Sequence, residues 1–146
     1  MSMSSYRNGL SGTPAMYQSA LAMQTDDMSK EESIEELIPL PDSQFYILWA
    51  LADGAHHGYA IMRHFDHHQR IRARLGSGVL NRNLPKMTDL GLVETTEESS
   101  KDERGQVYYR LTNRGGRALL AQLQFMNEEL GSATKVAKKL QHEAGG

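Results

Sequence analysis

Between Leu119 and Leu140, apolar side chains recur at alternating spacings of four and three: Leu119, Leu123, Met126, Leu130, Ala133, Ala137 and Leu140. A helix with such a seam buries it by lying along another helix, because the repeat keeps one narrow stripe in line. The stretch "TNRGGRALLAQLQFMNEELGSATKVAKKL" is therefore expected to be one long helix, capped by Thr112 and weakened or bent at Gly131-Ser132. On the last helix of the pattern, a seam this narrow suits a second copy of the chain better than the chain's own body. Dimerisation is accordingly assigned to Leu119, Leu123, Met126, Leu130, Ala137 and Leu140.

Upstream come three helical patterns and then two β-prone runs. In "LPDSQFYILWALADG", Asp42 suits an N-cap and Gly54 a stop, with Phe45, Leu48, Trp49 and Ala52 on one face. Trp49 reads as a core side chain, with the lining of a ligand pocket as its alternative. A second helix is expected over 58–69, with Ile61, Met62 and Phe65 turned inward. In "RIRARL", Ile71, Ala73 and Leu75 alternate with Arg70, Arg72 and Arg74, which suggests a short strand or an extended connection. "GSGVLNRNLPKMTDLG" reads as a third helix, N-capped by Ser77 and ended by Gly91. Its stripe is Leu80, Leu84, Met87 and Leu90, which leaves Asn81, Arg82, Asn83 and Lys86 off it. Pro85 lies inside this helix, removes a backbone donor and clashes with the Asn81 carbonyl, so a kink or early break is expected. "LVETT" and "QVYYRL" then flank the polar "EESSKDERG", a hairpin with a long tip.

The fold class expected from this order is mainly α with a small β-hairpin: a winged helix-turn-helix domain plus a C-terminal dimerisation helix. Residues 1–37 would be a flexible acidic tail, 38–112 the winged domain and 113–143 the dimerisation helix. Charge supports a nucleic-acid partner. The formal net charge is −2, yet residues 1–42 hold two basic and seven acidic side chains. Over 56–86, Arg63, Arg70, Arg72, Arg74, Arg82 and Lys86 face Asp66 alone. A solvated basic face is the alternative explanation of that block. The chain has no cysteine, which excludes disulfides, thiolate zinc sites and Cys nucleophiles. No apolar run reaches membrane-spanning length and the N-terminus lacks a signal pattern, so a soluble, cytoplasmic protein without membrane contact is expected.

Three segments resemble the PadR family of transcriptional regulators. "LWALADGAHHGYAIMRHF", with His57-Gly58-Tyr59, looks like the family's opening. "GSGVLNRNLPKMTDLGLVE" sits where the family has Ser-x-Gly-x-Leu leading into Gly-Leu-[Ile/Val]. "GQVYYRLTNRGGRAL" is similar to its Tyr-Tyr-x-Leu-Thr-x-x-Gly wing ending. The resemblance spans roughly residues 38–125 and implies a dimeric, usually repressing, DNA-binding protein. It implies that Tyr59 lies near a DNA phosphate, that Ser77 and the exposed residues of the third helix lie in or beside the major groove, and that the wing lies over flanking backbone. Where the family commonly has Leu-Tyr, this chain has Leu80-Asn81.

The expected DNA-contacting set is Tyr59, Arg72, Arg74, Ser77, Asn81, Arg82, Asn83, Lys86, Lys101 and Arg104. Arg82 and Lys86 are long cations, and Asn81 and Asn83 can pair with adenine edges. The expected partners are double-stranded DNA, a second copy of the chain, a small-molecule effector near Trp49, Phe125 or Met126, and a protein partner of the N-terminal tail.

Two other readings compete. The first is a winged-helix module that binds a protein, with DNA binding reduced, because Glu97, Glu98, Asp102 and Glu103 in the wing repel phosphate. The second is a metal-responsive regulator, since five of the six histidines fall within "HHGYAIMRHFDHHQR". His64 and His68 could share an ion, but no third ligand is at hand, so no metal and no cofactor are expected. His57 reads as structural, at the entry to the second helix. No phosphate loop, nucleophile with a placed base or carboxylate pair can be named, so an enzyme is not expected.

Overall fold

The computed structural model describes residues 33–101 and 103–145, with the side chains of Ser100 and Lys101 left aside. The acidic tail expected over residues 1–37 thus lies outside the described residues as far as 32. Its last part, Ile34–Leu37, is a helical turn (α1). Next come α2 (Asp42–Ala52), α3 (Gly58–Arg63), α4 (Gln69–Arg72), α5 (Ser77–Asp89) and β1 (Val93–Thr95). The helical turn α6 (Glu98–Lys101), β2 (Tyr109–Leu111) and the long helix α7 (Asn113–Gly145) complete the order.

Helix α2 is the centre of the core. Gln44, Phe45, Ile47, Leu48, Ala50 and Leu51 are all buried, because α3, α5, β2 and α7 pack around it. A helix enclosed on several sides has no single apolar face. This corrects the expected face: Ala52 is exposed and Trp49 only half-buried, while Ile47 and Ala50 are wholly buried. Asp42 is not the N-cap either. Pro41 holds that position without a side-chain cap, and Asp42 pairs with Arg74 at 2.9 Å. Ile61, Phe65, Leu75, Met87, Leu92 and Val93 are also wholly buried. Each such side chain contributes about 1.5–3 kcal/mol by leaving water.

The second helix is shorter than expected. Helix α3 ends at Arg63, and residues 64–67 turn before α4 begins. "RIRARL" contains a helical turn rather than a strand. Ile71 and Leu75 stand four apart and turn inward, whereas Ala73 is exposed. The alternation with arginine counted Ala73 as a core residue, and a helical spacing explains the two true anchors better.

Helix α5 runs through Pro85 without a break and reaches Asp89. Asn83 Nδ2 donates to the Val79 carbonyl at 2.9 Å and Thr88 Oγ1 to the Leu84 carbonyl at 2.8 Å, adding side-chain bonds on both sides of the proline. Asn81, which loses its amide partner, is exposed, and water can serve its carbonyl. Ser77 is the first helical residue and Gly76 takes the N-cap position. Gly91 follows the helix at φ +75°, a conformation L side chains rarely adopt.

β1 and β2 pair antiparallel in the register Val93↔Leu111, Glu94↔Arg110, Thr95↔Tyr109. The hairpin expected over 92–111 is therefore present, with α6 folded into its tip. Ser99 Oγ accepts from the Tyr108 amide at 2.7 Å and ties that turn to the returning strand. Thr112 caps α7 as expected: its Oγ1 accepts from the Gly115 amide at 2.9 Å. Helix α7 is continuous through Gly131-Ser132, so the expected weakening does not interrupt it.

Candidate nucleic-acid interface

Two elements and the wing meet at one surface. Leu80, Leu84 and Met87 anchor α5 in the core. The opposite face then presents Ser77, Gly78, Asn81, Arg82, Pro85 and Lys86, all exposed. Helix α3 meets α5 at its start, where His57 forms the N-cap and its Nδ1 accepts from the Ala60 amide at 3.2 Å. That capped turn holds Tyr59 outward, 56% exposed, with the Arg63 guanidinium 5.6 Å from its ring centre. The wing is fastened to the same turn. The Tyr109 amide donates to the His56 carbonyl at 2.7 Å, and the His56 ring stacks on Tyr108 at 5.5 Å.

Between these parts lies a cleft of about 250 Å³, with Tyr59, Ser77 and Asn81 beside Met62, Leu84 and Val107. Tyr109 lines it too, and burial pushes its phenol up from the usual value. A second, more open cleft of about 520 Å³ joins Tyr59 to Arg63, Arg104, Gln106 and His57. Two arginines and a tyrosine line it, a donor set suited to phosphate oxygens.

Of the expected contact residues, the fold brings Tyr59, Ser77 and Asn81 to the first cleft and Tyr59 and Arg104 to the second. Arg82 and Lys86 continue the exposed face of α5. Others are engaged elsewhere. Asn83 is half-buried, donates within α5 and accepts from Gln44 Nε2 at 3.3 Å, tying α5 to α2. Arg72 lies 3.6 Å from Asp66 and donates to the Leu75 carbonyl at 3.2 Å. Arg74 pairs with Asp42, but both side chains are largely exposed, so that pair holds the guanidinium with only about 0–1 kcal/mol. Lys101 belongs to α6, and its side chain is outside the described residues. Arg63 and Gln106 belong to the surface and escaped the expected set. Arg63 was counted in the basic block, but its neighbourhood with Arg104 joins residues far apart in the chain and has no local signal.

His64 and His68 do not share a helical face. They end α3 and precede α4, and both rings stand beside Trp49, at 6.5 and 6.1 Å. His64 Nε2 is 3.3 Å from an Asp53 carboxylate oxygen. No described helix is long and apolar enough to cross a membrane.

On α7 the seam divides. Leu119 is half-buried against the core, whereas Leu123, Met126, Leu130, Ala133, Ala137 and Leu140 are exposed. From Met126 to Gly145 every residue but Thr134 is exposed, so the helix runs clear of the body.

Comparison with known proteins agrees with this architecture. H. salinarum RosR superposes with a TM-score of 0.53 at 26% identity, over 75% of this chain and 97% of that one. A second structure of that protein, described as a complex structure, gives 0.52 at 26% identity, over 75% and 96%. Lactococcus lactis ZitR, as a C30AH42A mutant, gives 0.53 at 16% identity, over 86% and 82%, a likeness of fold alone. No curated protein matches the sequence significantly. The family model described as the transcriptional regulator PadR-like family matches residues 47–121, which is more than half of the chain and spans α3, α5, the wing and the start of α7. The chain has the winged helix-turn-helix fold and belongs to the PadR-like family of DNA-binding transcriptional regulators, which are not enzymes.

Proposed function

We propose that the protein is a homodimeric repressor that binds a palindromic operator, with α5 in the major groove and the wing along the flanking backbone. The observation that carries this reading is the length of α7 standing clear of the body with its apolar seam exposed. Twenty residues of helix span about 30 Å, and a helix in a protein gains most of its stability by packing an apolar face. Pairing with the same helix of a second copy would bury the seam and relate two α5 helices by a two-fold axis. In this reading Leu123, Met126, Leu130, Ala133, Ala137 and Leu140 form the dimer contact, with Leu119 at its inner end. Residues 38–112 act as the DNA-binding domain and 113–143 as the dimerisation helix.

In each half-site Asn81 of α5 reads a base edge, while Arg82 and Lys86 of α5, with Ser77, Tyr59, Arg63 and Arg104, hold phosphates. The repressor acts in the cytoplasm, on the nucleoid. Relief by a small-molecule signal is the finer part of the proposal, with half-buried Trp49 and the α7 surface at Phe125 and Met126 as the places for it. The test is selection of bound duplexes from a random pool by the purified chain. The expected product is a two-fold symmetric motif with half-sites about one helical turn apart. Recovery of unenriched sequence, even at low salt, would overturn the reading.

One observation favours a second reading. Glu97, Glu98 and Glu103 are exposed on the wing, where they would face phosphate. A winged-helix module that binds a basic protein surface would use them directly. Such a module shows no steep loss of DNA affinity with added salt, because it releases few counterions.

A further inference from the structure

Helix α7 is held to the winged body at two points by buried polar contacts. At its first turn, Arg114 is only 3% exposed, and its Nε donates at 2.8 Å to the Leu90 carbonyl at the end of α5. Beside it, a Cβ on Gly115 would come 1.9 Å from the Leu92 carbonyl oxygen, a separation no side chain can occupy. Two turns further on, buried Gln122 accepts through Oε1 from the Leu40 amide at 2.8 Å. Buried polar groups without partners cost far more than apolar ones, so each contact fixes one arrangement rather than merely adding cohesion. The body is itself tied together, since Gln44 of α2 donates to Asn83 of α5.

A rod fixed at one point pivots, and a rod fixed at two has a set direction. We propose that Arg114, Gly115 and Gln122 are positioning residues that fix the direction of α7 relative to α5, and thereby set the separation of half-sites the dimer accepts. The inference rests on the reading of the protein as a dimer on two half-sites. The lever makes the effect measurable. From Gln122 to Leu140, α7 extends about 27 Å, and a tilt of about 7° displaces its far end by about 3.4 Å, one base-pair step. Loss of either anchor therefore widens the range of spacings without touching a side chain that faces DNA.

The experiment uses the full chain and duplexes carrying the two selected half-sites with spacers lengthened or shortened by one base pair. The wild type is expected to discriminate against the altered spacers at least tenfold. Gln122→Met and Arg114→Met are expected to reduce that discrimination to threefold or less, with affinity for a single half-site unchanged and the dimer intact by sedimentation. Gln122→Glu keeps an acceptor oxygen and is expected to restore the preference, which general destabilisation would not explain. Gly115→Ala would drive a Cβ into the Leu92 carbonyl and is expected to disrupt the fold, so the two methionine variants carry the test. Wild-type spacing preference in both of them would overturn the clamp and leave the dimer reading standing. A wild type that ignores the second half-site altogether would overturn the dimer reading, and the clamp with it.

Discussion

Asn81 and Asn83 are two residues apart on α5, yet the helix turns them to opposite uses. Asn81 is exposed on the cleft shared with Tyr59 and Ser77, while Asn83 is half-buried and bonded to Val79 and Gln44. Asn81→Ala is expected to relax preference at one base position by about 1–3 kcal/mol and to leave stability unchanged. Asn83→Ala is expected to lower stability by about 1 kcal/mol and to leave base preference unchanged. Competition binding against single-base variants and denaturant titration check the pair. A base-preference change in the Asn83 variant would mean the two roles are exchanged. The sequence offered both asparagines as equally placed off the apolar stripe. What separates them is a buried glutamine 39 positions earlier in the chain, a contact no local pattern announces. The histidines tell the same story in reverse. His57 was legible from its place before Gly58-Tyr59, and its ring caps α3. His64 and His68 looked like a helical pair only while the helix was expected to run on to residue 69.

At the scale of elements, the helices with strong periodic stripes were legible and the short ones were not. The exposed face of α5 and the seam of α7 follow directly from their spacings. Helix α2 hid its burial because a helix packed on several sides carries apolar residues all round. The four-residue α4 has too few positions for a helical period to beat a chance alternation. Pro85 predicts a kink or early break in α5, but the helix runs on without a break, and thirteen residues anchored by Leu80, Leu84 and Met87 outweigh one missing bond on the exposed side. The element with the clearest mutational signature is α7. Leu130 is 64% exposed in the single chain, so Leu130→Asp is expected to leave the folded body intact while splitting the dimer. The same change at Leu123 is expected to have the same effect. Sedimentation equilibrium checks both, and an undiminished dimer would mean that another face of α7 makes the contact.

At the scale of the whole molecule, charge and shape point the same way. The basic side chains of α3 and α5 and Arg104 of the wing gather on one surface, while the acidic run of residues 26–36 precedes these elements in the sequence. The fold class and family were legible because three motifs occur in order. The cleft that joins Arg63 to Arg104 was not, because it depends on how the wing docks on the α3 turn. The central claim is that this surface binds DNA through phosphate contacts placed by α5 and the wing. The most direct test is the affinity of the purified chain for its selected duplex as salt rises, for the wild type and for Arg82→Ala/Lys86→Ala. A dimer with about three or four phosphate contacts per protomer should give a slope of log affinity against log salt near −6. The double variant should flatten that slope by roughly two to four, allowing about one contact per lost cation in each protomer. A salt-insensitive affinity, or a slope unchanged in the variant, would contradict the account.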